Sequence, residues 1–72
     1  MDQLDRRIAD NIRREMLATA VDPNRLAGLL GMSERTWWNR LEEGGFKMRE
    51  LGVIANALGC KLHTLIPEEW AA

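Results

Sequence analysis

Residues 22–44 constrain the fold of this chain most, because they hold two short helix patterns separated by one glycine. Asp22 and Pro23 form a helix start, since Asp accepts hydrogen bonds from free N–H groups and Pro suits the first helical position. The apolar residues that follow at helical spacing are Leu26, Ala27 and Leu30. Gly31 then supplies the backbone freedom that a tight turn needs. The pattern predicts a helix over residues 23–30 that ends in a sharp turn.

A second helix is predicted directly after this turn, over residues 34–43. Ser33 provides its N-cap, and Trp37 and Leu41, four residues apart, point to the core. The opposite side of this helix carries Glu34, Arg35, Trp38, Asn39 and Glu42. Two packed helices joined by a glycine turn, with a polar outer face on the second, form a helix-turn-helix. A helix presented in this way fits the major groove of DNA.

The same spacing of small and apolar residues continues beyond these two helices. It comprises Leu26-Ala27, Gly31, Ser33, Thr36, Trp37, Leu41-Glu42, Gly44, Met48-x-x-Leu51, Ile54-Ala55-x-Ala57-Leu58-Gly59 and Leu62-x-x-Leu65-Ile66. Over residues 8–66 the chain thereby resembles the helix-turn-helix family typified by the phage lambda and Cro repressors and by XRE-type regulators. The resemblance implies an all-α, lambda-repressor-like DNA-binding domain. Family members usually carry a phosphate-clamping Gln where this chain has Pro23, so the resemblance does not supply that contact.

The whole chain is expected to fold as an all-α, compact five-helix bundle in one domain, residues 1–72. The predicted helices span residues 4–19, 23–30, 34–43, 47–58 and 62–66. The first carries the apolar stripe Leu4, Ile8, Ile12 and Met16. The fourth is expected to turn its apolar residues inward, namely Met48, Leu51, Ile54, Ala55 and Leu58. It should end at Gly59, because glycine readily adopts the left-handed conformation that ends a helix. Residues 67–72 form a C-terminal tail.

The charge and cysteine content limit the partners and the cellular compartment that can be expected for this chain. The net charge is −1, but residues 6–40 hold seven arginines against four acidic residues, which permits one basic face. The single cysteine cannot form an internal disulfide, so a reducing cytoplasm is expected. The family resemblance implies the cytoplasm or nucleoid of a bacterial host. No apolar run approaches the ~20 residues needed to span a bilayer, so no membrane partner is expected.

The candidate base-reading residues lie on the outer face of the second helix of the motif: Ser33, Glu34, Arg35, Trp38 and Asn39. Arg can donate two hydrogen bonds to guanine, Asn can pair with adenine, and Glu can accept one from cytosine. Arg35 and Asn39 are four residues apart and therefore point the same way. Glu34 would repel phosphates, so it fits only as a cytosine contact or as a group that orients Arg35. The alternative is a merely solvated face.

Trp38 carries several interpretations. Its side chain points about 100° away from Trp37, as successive helical residues do. An exposed aromatic there could contact a thymine methyl group, a sugar or a second copy of the protein. The alternative is a partly buried residue at the edge of the core.

Phosphate contacts are expected from residues that flank the reading face. The backbone N–H groups of Asn24 and Arg25 begin a helix, where free donors and the helix dipole suit an anion. The side chains best placed by spacing are those of Arg25, Thr36, Arg40, Lys47 and Arg49. Each could equally be an ordinary surface charge. The arginines of the first helix, Arg6, Arg7, Arg13 and Arg14, could reach the DNA backbone or pair with Asp10 and Glu15.

Catalysis, cofactors and metals are not expected. Cys60 and His63 supply two potential ligands, which do not make a zinc site, and Cys60 is expected to pack in the core. His63 has no suggestive nucleophile beside it, and the glycines form no phosphate loop.

The sequence therefore favours a repressor of the small Cro or immunity-repressor type that acts by occupying a double-stranded DNA operator, with no small-molecule ligand and no second domain. A homodimer on two half-sites about 34 Å apart is one option. Trp70 in the tail could contact the second subunit or fold back over the first helix. The rival interpretation is an antitoxin or adaptor whose motif contacts protein.

Overall fold

Five helices account for most of residues 3–67, the part of the chain that the computed structural model describes. They are α1 (Gln3–Thr19), α2 (Pro23–Leu29), α3 (Glu34–Glu43), α4 (Met48–Leu58) and α5 (Leu62–Leu65). Residues 3–67 contain no strand, so the all-α prediction is confirmed, and no helix bound differs from its predicted position by more than one residue. Within the same residues, no helix combines the length and apolar composition that crossing a lipid bilayer requires.

The core is a single apolar cluster to which every helix contributes. Its buried members are Ile8, Ala9, Ile12, Met16, Leu26, Ala27, Trp37, Leu41, Leu51, Ile54, Ala55, Leu58 and Leu65. Full burial of one large apolar side chain stabilises a fold by about 1.5–3 kcal/mol, so this cluster supplies the main driving force for folding.

Met48 departs from the predicted core. Its side chain is 50% exposed, whereas the other residues predicted to face inward from α4 are buried. Met48 is the first residue of α4, and Cα–Cβ bonds in a helix tilt toward its N-terminus. The side chain therefore extends away from the following turns that pack in the core.

Local signals fix the helix ends where the sequence predicts them. Asp22 Oδ1 accepts a hydrogen bond from the Asn24 N–H at 2.9 Å, and Ser33 Oγ accepts one from the Thr36 N–H at 3.1 Å. Gly59 ends α4 in the left-handed region, with φ 72° and ψ 23°. These caps are predictable because each satisfies donors or acceptors within a few residues.

Two contacts between distant segments tie α1 to the rest of the fold. Asn11 Nδ2 donates to the carbonyl oxygen of Leu65 at 3.0 Å, which holds α5 against α1. At the start of α1, Asp5 Oδ1 accepts from the N–H of Gly45 at 3.5 Å, in the link after α3. The second contact places the α3–α4 link beside the first turn of α1.

Candidate nucleic-acid interface

Helix α3 has one buried face and one exposed face, as the sequence predicts. Trp37 and Leu41 are fully buried, and α3 packs against α2 and α1. The residues that the structure places in solvent are Ser33, Glu34, Arg35, Thr36, Trp38 and Asn39. The fold thus presents the predicted base-reading residues together along one helix.

Arg35 and Asn39 are the strongest candidates on this face. They lie one helical turn apart, so their side chains share a direction. Among residues 3–67, no ion pair or side-chain hydrogen bond engages either of them. When these side chains bind a ligand, their donors therefore give up hydrogen bonds to water, and no hydrogen bond within residues 3–67 has to break. Glu34 is equally unengaged within these residues, which leaves its carboxylate available to Arg35 or to a base.

Ser33 and Thr36 use part of their hydrogen-bonding capacity within the protein. Ser33 Oγ accepts the Thr36 N–H and donates its own proton to Thr36 Oγ1 at 3.0 Å. The Ser33 hydroxyl is therefore committed to the α3 cap. The Thr36 hydroxyl keeps its own proton, which remains available to a phosphate oxygen.

The start of α2 differs from the expected anion-binding terminus. The Asn24 N–H donates to the Asp22 carboxylate, and the Arg25 N–H donates to the Asp22 carbonyl oxygen at 3.0 Å. The carboxylate of Asp22 occupies the place expected for a phosphate, so these two backbone donors are not free. The exposed side chains of Asn24 and Arg25 remain as possible contacts.

Arg40, a predicted phosphate contact, has partners inside the protein. Its Nη1 donates to Glu50 Oε1 at 3.0 Å and to the Gly45 carbonyl oxygen at 3.3 Å. Its guanidinium carbon lies 5.8 Å from the centre of the Phe46 ring. Lys47 and Arg49 differ from Arg40, because both are exposed.

Sequence reasoning missed Glu50. The spacing of Lys47 and Glu50 places a Glu at the third position of α4, a capping-box position, although Lys47 replaces the usual Ser or Thr. Burial of the Glu50 carboxyl raises its pKa, but hydrogen bonds from the Lys47 N–H and Arg40, with the charges of Arg40 and Lys47, outweigh burial and lower the pKa overall. The carboxylate is therefore charged near neutral pH.

An apolar groove of about 360 Å³ lies beside the exposed face of α3. Its lining residues are Arg13, Met16, Leu17, Val21, Pro23 and Trp38. Leu17 is 86% exposed and Trp38 41% exposed, so Trp38 stands at the edge of the folded core with much of its ring in solvent. A second groove, of about 270 Å³, brings Leu29 of α2 and the next residue, Leu30, beside Arg49 and Val53 of α4.

Comparisons with protein-family models, with curated proteins and with solved structures each found no match to this chain. The resemblance to lambda-repressor-like regulators therefore depends on residue spacing. What the structure contributes is the placement of side chains on α3 and around it.

The remaining predicted groups lie on α1 and near the C-terminal end of the described residues, and of these Arg13 lines the groove beside Trp38. Arg13 pairs with Asp10 at 3.7 Å, and Arg14 donates to Asn11 Oδ1 at 3.1 Å, both along α1.

Cys60 packs at the core edge, and burial raises the pKa of its thiol. Within residues 3–67, no cluster of three His, Cys, Asp or Glu side chains could hold a metal ion. Trp70 lies outside the described residues.

Proposed function

We propose that this protein is a sequence-specific regulator that binds double-stranded DNA, a small repressor of the Cro or immunity-repressor type. The observation that carries the proposal is the division of α3 into two faces. Trp37 and Leu41 anchor the helix in the core, while Arg35 and Asn39, on the opposite side, have no ion pair or side-chain hydrogen bond within residues 3–67. A helix held in this way can enter a major groove without disturbing the fold.

The chemistry of the exposed face suits base edges. Arg donates two hydrogen bonds to guanine O6 and N7, and Asn pairs with adenine N6 and N7. Affinity requires cations that meet phosphates, and the exposed Arg25, Lys47 and Arg49 supply them from α2 and from the start of α4. The α2–turn–α3 unit would then serve as the helix-turn-helix, with α3 as its recognition helix.

Repression would follow from occupancy. A bound domain excludes polymerase or a competing regulator from the same stretch of DNA. Two copies on half-sites one helical turn apart would double the contact area and require a two-fold-symmetric operator.

In vitro selection from a random duplex library tests the proposal most directly, because it reports motif, symmetry and half-site spacing together. Arg35→Ala and Asn39→Ala should each relax base preference at one position of the enriched duplex, by about 1–3 kcal/mol of discrimination. Arg6→Ala is the matched control, since it removes the same charge from the exposed surface of α1. It should leave base preference unchanged, because a contact from Arg6 to the DNA backbone would carry no sequence information. If both α3 variants keep wild-type discrimination, α3 is not the recognition helix.

A protein-interaction module, such as an antitoxin or an adaptor, is the second candidate. The apolar groove between Leu17 and Trp38 favours it, because exposed apolar surface beside a polar rim is typical of protein contacts. Titration against random duplex DNA at low salt separates the two candidates. A cationic DNA-binding face binds measurably under these conditions, whereas a protein-binding module does not.

A further inference from the structure

The ion pair between Arg40 and Glu50 connects α3 to α4. The Arg40 side chain is 30% exposed and that of Glu50 12% exposed, so both groups are largely withdrawn from solvent. Besides the bond from Nη1 to Oε1, Nη2 lies 3.5 Å from Oε2, so the two planar groups face each other. Glu50 Oε1 also accepts the Lys47 N–H at 2.8 Å, which anchors the carboxylate to the start of α4.

Arg40 extends this connection through the α3–α4 link. It donates to the Gly45 carbonyl oxygen and stacks on Phe46, whose ring centre lies 5.6 Å from that of Trp37. A continuous set of contacts therefore leads from the buried face of α3, through the link, to the first turn of α4. Arg40 lies one residue beyond Asn39 on the same helix.

We infer that Glu50 is a positioning residue for the recognition helix, acting through Arg40. This inference rests on the proposed function. Glu50 holds the Arg40 guanidinium against the protein and so keeps it from acting as a phosphate ligand. The pair fixes the direction of α3 relative to α4, and the reading face of Arg35 and Asn39 is thereby set against the cations at the start of α4.

The physical reason is the directionality of base contacts. A bidentate bond to a base requires its donor to be held within a fraction of an ångström and about 10–20°. An arginine facing a carboxylate with both of its terminal nitrogens resists rotation in a way that a single apolar contact does not. Loss of either partner would free α3 to tilt and would leave its own base-reading side chains chemically unchanged.

Binding measurements distinguish this role from direct phosphate contact. The probes are the duplex that the wild-type chain enriches from a random library and a scrambled duplex of equal length. Arg40→Met and Glu50→Gln should each lower, by about tenfold, the ratio of the affinity for the enriched duplex to that for the scrambled duplex. This loss is part of the discrimination that one bidentate base contact provides. The slope of log K against log salt should stay at its wild-type value, and the double variant should resemble either single variant.

Arg49→Met is the matched control, because it removes an exposed arginine from the same region. A phosphate-binding Arg49 would lower affinity for both duplexes and reduce the salt slope by about 0.9, with the ratio unchanged. If Arg40→Met behaves in that way and Glu50→Gln is silent, Arg40 is a phosphate ligand and the positioning role is wrong.

The free protein provides a second, independent measurement. In ¹H–¹⁵N spectra, Glu50→Gln should shift the amide resonances of Arg35 and Asn39, and Arg40→Met should shift that of Arg35, whereas Arg49→Met should leave both in place. Glu50→Gln keeps an acceptor for the Lys47 N–H, so α4 remains capped, and Arg40→Lys provides a milder variant if Arg40→Met fails to fold.

Loss of stability without any shift along α3 would mean that the pair is merely structural. If the wild-type chain enriches no duplex, the proposed function fails, while these spectra still decide whether the pair positions α3.

Discussion

Asp5 and Gly44 lie so close together that a Cβ atom on Gly44 would stand 2.6 Å from the Cβ and Cγ atoms of Asp5. Gly44 also has φ 85° and ψ −161°, a backbone conformation that is essentially restricted to glycine. The residue that ends the proposed recognition helix is therefore constrained both by its own backbone and by α1.

Gly44→Ala should destabilise the fold by more than backbone strain alone, which costs about 1–3 kcal/mol. Gly45→Ala is the control, because Gly45 has a similar φ of 89° but no atom lies within 4 Å of the position that an added methyl group would take. Urea unfolding of both variants measures the difference in the free energy of unfolding. Equal losses would show that α1 yields to the added methyl group at no cost.

Ala20, directly after α1, is not a glycine but adopts a backbone conformation that favours glycine. Among residues 3–67 it is the non-glycine residue with positive φ (57°). The left-handed region costs an L-residue roughly 1–2 kcal/mol, and glycine is the preferred residue at such helix ends. Ala20→Gly should therefore raise the free energy of unfolding by about 1 kcal/mol. A thermal midpoint at or below that of the wild type would contradict this expectation.

Most of the fold follows from signals that act over a few residues. Asp22, Ser33 and Gly59 end or begin helices through neighbouring backbone groups, and the spacing of Trp37 and Leu41 sets the buried side of α3. For this reason both the helix bounds and the two faces of α3 could be predicted.

The sequence did not predict contacts in which one backbone group has two possible partners, or in which the two partners are far apart in the chain. Asp22 was correctly predicted as a cap, yet that cap occupies the Asn24 N–H that was also assigned to phosphate. Arg40 and Glu50 are ten residues apart on different helices, and no periodic pattern connects them. Asn11 and Leu65 are 54 residues apart, so only tertiary packing reveals their contact.

The Glu50 carboxylate should make stability depend on pH. Its pKa is lowered in the folded protein, because the bonds from Lys47 and Arg40 and their charges outweigh the effect of burial. A carboxyl group with a lowered folded-state pKa adds stability above its ordinary pKa of about 4.3 and loses it as the pH falls through the folded value. The wild type should exceed Glu50→Gln in thermal midpoint at pH 7, and the gap should shrink below about pH 4. A gap that stays constant into acid would mean that Glu50 stabilises the fold by shape alone.

Trp37 should tolerate one substitution far better than another. Its ring is fully buried, so Trp37→Ala should cost about 3–5 kcal/mol through the cavity it leaves. Its Nε1–H has no acceptor among residues 3–67, and an unpaired buried donor costs about 1–3 kcal/mol. Trp37→Phe removes that donor and keeps an aromatic ring against Phe46, so the two effects should partly cancel. Leu41→Ala, on the same buried face, shows the cost of a cavity without this compensation. If Trp37→Phe proved as costly as Trp37→Ala in urea unfolding, the shape of the indole, rather than its apolar bulk, would be what holds α3 in place.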